Sequence, residues 1–376
     1  MKTLILMALL GLMRTAQAHA QSAWPLWDHY QSYFIQKNGR VVDYDRDNLT
    51  TSEGQGYAMF FALVANDRPG FDRLYHWTTQ NLAAGNLRTD LPAWSWGRRP
   101  DGTLGVKDPN SASDADLWIA YDLLQAGRLW KQQEYVTAGN DLLKQIASRE
   151  VSHLFSFPVL LPAHSGFEHD GSITLNTSYM PLFLIQAAAY AQPQGPWKAM
   201  AASLPALIHR TTIRGFASDW TKLEADGQIH PSAPLDSSSD QATGSYDAIR
   251  VYLWAGITSS STPGRDAILS TLSPMASYMK THSLPPEFVI EGQPSVRGTG
   301  PISFSAALIP FLQSTQQPNA AAQQQDRLKS AWSTQFNLYG NPPRYYDQNL
   351  AMFTLGFTEH KYRIQNNGEV EVSWRR

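Results

Sequence analysis

The feature that most constrains the fold is helical periodicity along nearly the whole chain. Apolar residues recur at the three- and four-residue spacing of a helix face, whereas stretches that alternate apolar and polar residues are scarce. The pattern predicts twelve helices, over residues 27–36, 54–66, 70–84, 115–130, 133–148, 178–191, 197–210, 245–258, 264–280, 302–314, 319–333 and 348–358. Alternately short and long connections group these helices into six hairpins. We expect one closed all-α arrangement, with an open α-solenoid as the alternative.

Four of the connections are long, and they share a composition rich in Gly, Pro, Ser, Asp and Trp. They cover residues 85–113, 149–176, 211–244 and 281–301. Loops of this length inside a compact domain usually carry function. No linker-like change of composition separates two domains, so we expect residues 21–376 to form a single domain with a functional loop face.

The N-terminus has the pattern of a secretory signal peptide. Lys2 precedes an apolar stretch over residues 4–13, and Ala18 and Ala20 each end a small-x-small cleavage site. An apolar stretch this short is typical of a signal peptide rather than of a membrane-spanning helix. We expect residues 1–20 to be removed and the mature chain to be periplasmic or secreted, without membrane insertion.

Composition excludes several classes of function. A net charge of -2 with 16% charged residues argues against a nucleic-acid binder, which needs a basic surface to neutralise phosphates. The chain has no cysteine, which excludes disulfides, a thiol nucleophile and a Cys-ligated metal. Metal-binding and phosphate-loop motifs are also absent from the sequence, so we expect no metal and no cofactor. The 12 Trp and 16 Tyr suit either stacking on sugar rings or a large aromatic core.

The stretch TSEGQGYAM, over residues 51–59, contains the first candidate acid, Glu53. Thr50 and Glu53 fit a capping box, in which the threonine accepts a hydrogen bond from the Glu53 amide and the carboxylate reaches back. Gly54 and Gly56 each cost about 1 kcal/mol relative to alanine in a helical first turn, and their presence indicates a close approach by another group. Glu53 is therefore either a capping residue or a carboxylate kept accessible for chemistry, and the two roles are compatible.

A second acidic stretch, ASDADLWIAYDLLQAGRLW, covers residues 112–130. Ser113 can cap a helix whose third position is Asp116, which gives Asp116 an ordinary structural role. Asp114 is not explained in this way, and residues two apart do not share a helix face. Asp114 is therefore the candidate site residue, with a solvated acidic first turn as the alternative for both aspartates.

The third stretch, GSYDAIRVYLWAG, places Asp247 and Arg250 three residues apart. At this spacing the two side chains meet on one helix face, so the arginine can pair with the carboxylate. An exposed ion pair is the alternative. Three aromatic residues crowd the pair and favour a functional setting: Tyr246, Tyr252 and Trp254.

Paired carboxylates are the residues that glycosidic cleavage requires. One protonated acid donates to the leaving oxygen, and one ionised carboxylate activates water or attacks the sugar. Glu53, flanked by glycine, suits the acid, and Asp247, beside an arginine, suits the base.

At these residues the chain resembles glycoside hydrolase family 8, including its periplasmic endoglucanases that accompany bacterial cellulose synthases. Residues 112–130 are similar to the family signature A-[ST]-D-[AG]-D followed by a helix that ends in an aromatic residue, although Asp122 stands where small residues are commoner. SEGQGYAM resembles the segment of the general acid, which falls on Glu53. SYDAIRVY resembles the segment of the general base, which falls on Asp247, with Arg250 as the arginine that orients it.

Other site residues are implied by the same resemblance. Asp114 matches the aspartate that binds and distorts the sugar at the cleavage point. NTSYMP resembles a segment whose tyrosine, here Tyr179, borders the catalytic water. The resemblance also implies aromatic cleft residues, with core packing as the alternative for each: Tyr246, Tyr345 or preferably Tyr346, and Trp94 or preferably Trp96.

The resemblance implies an (α/α)6 barrel of twelve helices with an open substrate groove on the loop face. It also implies an inverting endo-β-1,4-glucanase acting on cellulose or cello-oligosaccharides, with carboxyl groups about 6.5–9.5 Å apart, and it raises the cellulose synthase and export machinery as a partner. A xylanase, mixed-linkage glucanase or chitosanase on the same scaffold is one alternative. A glycan-binding protein without catalysis is another.

Overall fold

The described part of the chain comprises residues 24–224, 226–232, 243–290, 293–294 and 298–375 of a computed structural model. The signal peptide predicted over residues 1–20 lies outside these residues.

Thirteen α-helices form the framework of the described residues. They are α1 (Pro25–Phe34), α2 (Ser52–Val64), α3 (Arg68–Leu82), α4 (Ser113–Trp130), α5 (Gln133–Arg149), α6 (Leu182–Ala191), α7 (Trp197–Thr211), α8 (Ala248–Ile257), α9 (Arg265–Thr271), α10 (Ser273–Met279), α11 (Ile302–Ser314), α12 (Pro318–Ser330) and α13 (Tyr345–Thr358). Two short 3₁₀ helices cover Thr177–Tyr179 and Ser373–Arg375.

Each of the twelve predicted helices has a counterpart, and two differ in their bounds because of proline. The segment predicted as one helix over 264–280 is divided at Leu272, where Pro274 removes a backbone donor from the helix. The helix predicted from residue 178 begins at Leu182, since Pro181 disfavours helical backbone at the residue before it.

The helices close into a ring of hairpins. Helices α2, α4, α6, α8, α11 and α13 form an inner layer in which each contacts the next, and α13 contacts α2. Helices α3, α5, α7, α9 and α12 pack outside the inner helix of their own hairpin, and α1 packs against α13. The closure excludes the open α-solenoid and agrees with an (α/α)6 arrangement.

The inner helices are buried on nearly every side, which is typical of helices that are apolar all round. Every residue of α8 is buried, and every residue of α2 is buried except Glu53. Large aromatic side chains fill the centre of the ring, where Trp118 lies against Tyr57 and Phe353. Many of the aromatic side chains therefore pack in the core, which is one of the two roles that the composition allows.

Short antiparallel strands occupy the loops between the helices. They are β1 (Thr50–Thr51), β2 (Ser95–Arg98), β3 (Leu104–Asp108), β4 (Val151–Ser152), β5 (Val159–Leu160), β6 (Glu168–His169), β7 (Ser172–Leu175), β8 (Trp220–Glu224), β9 (Ile229–Ser232), β10 (Thr243–Gly244), β11 (Val289–Ile290), β12 (Gln293–Pro294), β13 (Trp332–Ser333), β14 (Leu338–Tyr339), β15 (Tyr362–Ile364) and β16 (Val370–Val372). The largest sheet has the order β6-β7-β8-β9, and β1 pairs with the β2–β3 hairpin so that Thr50 faces Trp96. The ring is helical as predicted, but the loops add strands that are too short to show an alternating pattern.

None of the helices given above has both the length and the apolar character needed to cross a membrane.

Candidate active site

A cavity of about 370 Å³ lies where the N-terminal ends of several inner helices meet. Residues at or just before the starts of α2, α4, α8 and α13 face it, which fixes one end of the ring as the site. The cavity is lined by Asp43, Arg46, Thr51, Ser52, Glu53, Trp94, Ala112, Asp114, Tyr179, Tyr246, Asp247, Arg250, Tyr345 and Tyr346. A helix N-terminus favours negative charge, so this end of the ring suits carboxylates.

Arg250 connects the three predicted acids. Its Nη1 donates to Glu53 and lies 3.4 Å from an oxygen of Asp114, and its Nη2 donates to Asp247 at 2.6 Å. The arginine side chain is only 3% exposed, whereas Glu53 and Asp247 are 23% and 28% exposed. The exposed ion pair considered for Asp247 is therefore wrong, and Arg250 contacts more than the predicted partner.

Two polar side chains complete the arginine's environment. The Ser178 hydroxyl accepts from Nη2 at 3.2 Å, and the Tyr57 hydroxyl accepts from Nη1 at the same distance. Because the guanidinium is a planar fork with fixed donor directions, it holds Glu53 and Asp247 in a defined relation.

Glu53 does not take part in the predicted capping box. Thr51, not Thr50, caps α2 by accepting from the Gly54 amide at 3.1 Å. The Thr50 hydroxyl instead donates to the Val41 carbonyl at 2.6 Å, inside the protein. Glu53 is thereby free to point toward Arg250.

The two glycines after Glu53 allow close approach, as predicted, and the approaching groups belong to the protein itself. A Cβ on Gly54 would lie 2.1 Å from the Tyr345 hydroxyl oxygen. A Cβ on Gly56 would lie 3.3 Å from the Cβ of Trp118 on α4. The glycines therefore let α13 and α4 pack tightly against α2 beside the acid.

Asp114 is buried against the arginine, with a side chain 4% exposed. Burial, followed by the nearby Glu53 carboxylate, raises the pKa of Asp114 to about 7, although Arg250 opposes the shift. The solvated acidic first turn considered for Asp114 is therefore wrong. The predicted Ser113 cap is also wrong, because Ser113 already lies inside α4, which has no side-chain cap.

Asp116 belongs to a different buried cluster, behind the cavity. It lies beside Glu150, and the Ser111 hydroxyl donates to Glu150. Burial and the proximity of Glu150 raise the pKa of Asp116, and burial raises the pKa of Glu150 to about 8. Asp116 is not among the residues that line the cavity, so its carboxyl belongs to this buried cluster and not to the candidate site.

The predicted tyrosines lie around the same cavity as Arg250 and Asp247. The Cζ of Arg250 lies 5.6 Å from the centre of the Tyr179 ring. Tyr246, which is 43% exposed, packs edge-on against Tyr346 at 5.7 Å, and the Tyr346 hydroxyl donates to the Tyr246 carbonyl. All three line the cavity.

Trp94 and Trp96, the two candidate sugar platforms, lie in different surroundings. Trp94 lines the cavity, whereas Trp96 is absent from its lining. The Trp96 ring lies 4.4 Å from the Arg40 guanidinium carbon and packs edge-on against Trp77. Of the two tryptophans, only Trp94 is therefore placed at this cavity, and the role of either as a sugar platform stays a prediction.

Sequence patterns did not reveal several residues of the site. Tyr57 is one helical turn after Glu53 and reads as core. Ser178 belongs to a short 3₁₀ helix, and Asp43 and Arg46 belong to an irregular loop. Asp219, which accepts hydrogen bonds before α8, is separated in sequence from its partners by 26 to 29 positions. Only the helical spacing of Tyr57 from Glu53 could have indicated its position.

No group of three or more His, Asp or Glu side chains within the described ranges is arranged to hold a metal ion.

Comparison with known proteins shows the family to which the chain belongs. The family model described as glycosyl hydrolases family 8 matches residues 3–360. An endoglucanase of Salmonella typhi is 40% identical over 96% of this chain and 94% of its own length, and an endoglucanase of Xanthomonas axonopodis pv. citri is 40% identical over 98% and 94%. The crystal structure of an endo-1,4-D-glucanase from Vibrio fischeri superposes with a TM-score of 0.83, at 35% identity, over 94% of this chain and 100% of the other. The chain therefore belongs to glycosyl hydrolases family 8.

Proposed function

We propose that this chain is an endo-β-1,4-glucanase that hydrolyses internal bonds of cellulose with inversion at the anomeric carbon. The glycoside hydrolase family and the endoglucanase relatives support the activity and the cellulose-type substrate. The observation that carries the assignment of residues is the buried Arg250, which joins Glu53, Asp114 and Asp247 in one cavity.

In the proposed mechanism Glu53 is the general acid and Asp247 the general base. Glu53 donates its proton to the glycosidic oxygen as the bond to the leaving sugar breaks. Asp247 removes a proton from a water molecule, and that water attacks the anomeric carbon from the opposite face. The partial exposure of both carboxylates supports these roles, since substrate and water can reach them.

Arg250 and Tyr179 position the reacting groups in this proposal. Arg250 holds the acid and the base at fixed positions relative to each other, because its Nη1 donates to Glu53 and its Nη2 donates to Asp247. The ring of Tyr179 borders the same space and restricts the position of the attacking water.

Asp114 binds the sugar at the cleavage point. A carboxyl with a pKa of about 7 retains its proton in mildly acidic solution and can donate a hydrogen bond to a sugar hydroxyl. Such a contact strengthens as the ring distorts toward the oxocarbenium-like transition state.

The cavity is proposed as the cleavage point of an open groove on the loop face. Trp94, Tyr246 and Tyr346 offer aromatic surface for glucose rings on this face. Replacing Trp94 with alanine should raise KM for cello-oligosaccharides, whereas the same change at Trp96 should lower thermal stability without this effect.

A single set of assays tests the proposal. Reducing-sugar release is measured on carboxymethylcellulose, xylan and chitosan, and the anomer of the first product is followed by NMR. We expect preference for the cellulose derivative and initial release of the α-anomer. Preference for xylan or chitosan would reassign the substrate, an initial β-anomer would remove the inverting mechanism, and binding without hydrolysis would favour a glycan-binding protein.

We further propose that residues 1–20 are a signal peptide, that residues 21–376 are one catalytic domain, and that the protein works in the periplasm or outside the cell beside the cellulose synthesis machinery. Mass spectrometry of the protein from the periplasmic fraction tests the first point. An intact N-terminus in the cytoplasmic fraction would contradict it.

A further inference from the structure

The residues that hold the proposed base in place come from a distant loop. The carboxylate oxygen Oδ1 of Asp219 accepts hydrogen bonds from the backbone amides of Ser245, Asp247 and Ala248, at 2.9, 3.1 and 2.7 Å. Asp219 is 5% exposed. The first turn of α8 has no side-chain cap of its own.

One carboxylate oxygen therefore fixes the backbone on both sides of Asp247. An N-terminal helical turn leaves amides without intrahelical partners, and a local Ser, Thr, Asp or Asn normally accepts from them. Here the acceptor is supplied from 28 positions earlier, just before β8. The position of the base is thus determined by the packing of a loop rather than by its own helix.

The neighbours of Asp219 tie the same loop to the other side of the base. The Ala217 amide donates to the Tyr252 hydroxyl of α8 at 3.0 Å, and a Cβ on Gly244 would lie 2.1 Å from the Ala217 carbonyl oxygen. Trp220 packs edge-on against Tyr179 at 6.0 Å. The segment of residues 217–220, which we call the base brace, therefore contacts the backbone before α8, α8 itself and the tyrosine beside Arg250.

We propose that Asp219 is a positioning residue for the reaction, which acts by fixing the backbone that carries Asp247 through the base brace. This inference rests on the proposed function, in which Asp247 is the general base. Asp219 itself touches neither the sugar nor the water in this scheme, since its hydrogen bonds go to the protein backbone.

The distinction from a simple helix cap is kinetic. A cap that only stabilises the fold changes the unfolding temperature and leaves kcat unchanged in protein that is folded. A misplaced base lowers kcat, and a displacement of about 1 Å can cost about 100-fold in rate. KM should change much less than kcat, because Asp114 and Trp94, which meet the sugar in this scheme, lie on other parts of the chain.

The test compares five variants on cellohexaose, with thermal unfolding measured in parallel. Asp219→Ala should lower kcat by about 100-fold with little change in KM. Asp219→Asn keeps an acceptor oxygen at the same position and should recover most of the lost kcat. Asp219→Glu keeps the charge but moves the acceptor by one methylene, and its kcat should stay low.

Asp67→Ala is the matched control. Asp67 caps α3 by accepting from the Gly70 amide at 2.9 Å, on the outside of the ring. Its loss should lower the unfolding temperature and leave kcat unchanged. If Asp219→Ala behaves in the same way, Asp219 is only a cap and the proposal is wrong.

If Asp219→Ala does not fold, the kcat values of Asp219→Asn and Asp219→Glu decide whether Asp219 has a positioning role. A kcat of Asp219→Glu equal to that of the parent, or a kcat of Asp219→Asn as low as that of Asp219→Glu, overturns the positioning role. Asp247→Asn is measured in the same series. Retained hydrolysis in that variant refutes the proposed base, whereas its loss together with full activity of Asp219→Ala refutes the brace alone.

Discussion

Replacing Arg250 with methionine tests the charge balance of the site most directly. The side chain is 3% exposed and pairs with Glu53, Asp114 and Asp247. Methionine is also unbranched and keeps much of the buried stem without the charge. Removing one partner of a buried ion pair typically costs about 3–5 kcal/mol, because the remaining charge stays buried without compensation. We expect a loss of unfolding free energy of this order above neutral pH, together with loss of hydrolysis.

The pH dependence of this loss follows from Asp114. Its pKa rises from an ordinary value of 3.8 to about 7 in the folded protein. Between these values the unfolded chain is ionised and the folded carboxyl is protonated, so the parent loses about 1.4 kcal/mol of stability per pH unit as pH rises, until about pH 7. Without Arg250 the pKa of Asp114 in the folded protein rises further, so the free energy of unfolding continues to fall above pH 7. The gap, meaning the difference in unfolding free energy between the parent and Arg250→Met, should therefore widen by about 1.4 kcal/mol per pH unit above pH 7.

Urea unfolding followed by tryptophan fluorescence, at about pH 6 and about pH 8.5, measures this gap. The control is Arg250→Met in an Asp114→Asn background, compared with Asp114→Asn alone. This difference in unfolding free energy should change less with pH, because Asp114 no longer titrates while Glu53 and Asp247 remain. An equal difference for Arg250→Met at both pH values, or one that widens as much in the control, would refute the assignment of the pH dependence to Asp114.

Three further predictions concern single residues. Glu53→Gln should retain cello-oligosaccharide binding in calorimetry and lose roughly 10²–10⁴-fold in kcat, and unchanged hydrolysis would remove Glu53 from the mechanism. Gly54→Ala should cost about 1–3 kcal/mol in urea unfolding because its Cβ meets the Tyr345 hydroxyl, and Tyr345→Phe should restore part of that loss. Burial raises the pKa of Asp122 far above its ordinary value, so the unfolding free energy of the parent should fall by about 1.4 kcal/mol per pH unit above pH 4. Asp122→Asn should remove this fall, and identical slopes of unfolding free energy against pH for parent and variant would contradict the prediction.

Local patterns were sufficient for most of the helices and insufficient for their ends. The apolar repeat predicts where α4 and α8 lie, because burial of one face imposes a period on the sequence. The predicted caps were wrong at the first two acidic stretches. Thr51 replaces Thr50 at α2, and α4 begins at Ser113 without a side-chain cap, because these choices depend on contacts that a local motif does not contain.

The separation of Asp114 from Asp116 shows the same limit in the site. The rule that residues two apart do not share a helix face predicts that one of the pair reaches a site. It does not predict that the other meets Glu150, which lies beyond the next helix in sequence. Trp94 and Trp96 are also two apart: Trp94 precedes β2 and lines the cavity, whereas Trp96 pairs with Thr50 in the sheet and is not part of the lining.

The sequence by itself determined where the helices lie, because a spacing of three to four residues between apolar side chains reflects burial of one helix face. It also determined which acids stand at helix starts: Glu53, Asp114 and Asp247. Only the tertiary structure closed the helices into a ring, brought these acids to one arginine and placed Asp219 against the backbone around Asp247. Long-range contacts of this kind leave no periodic pattern, because each depends on how loops far apart in the chain pack against one another.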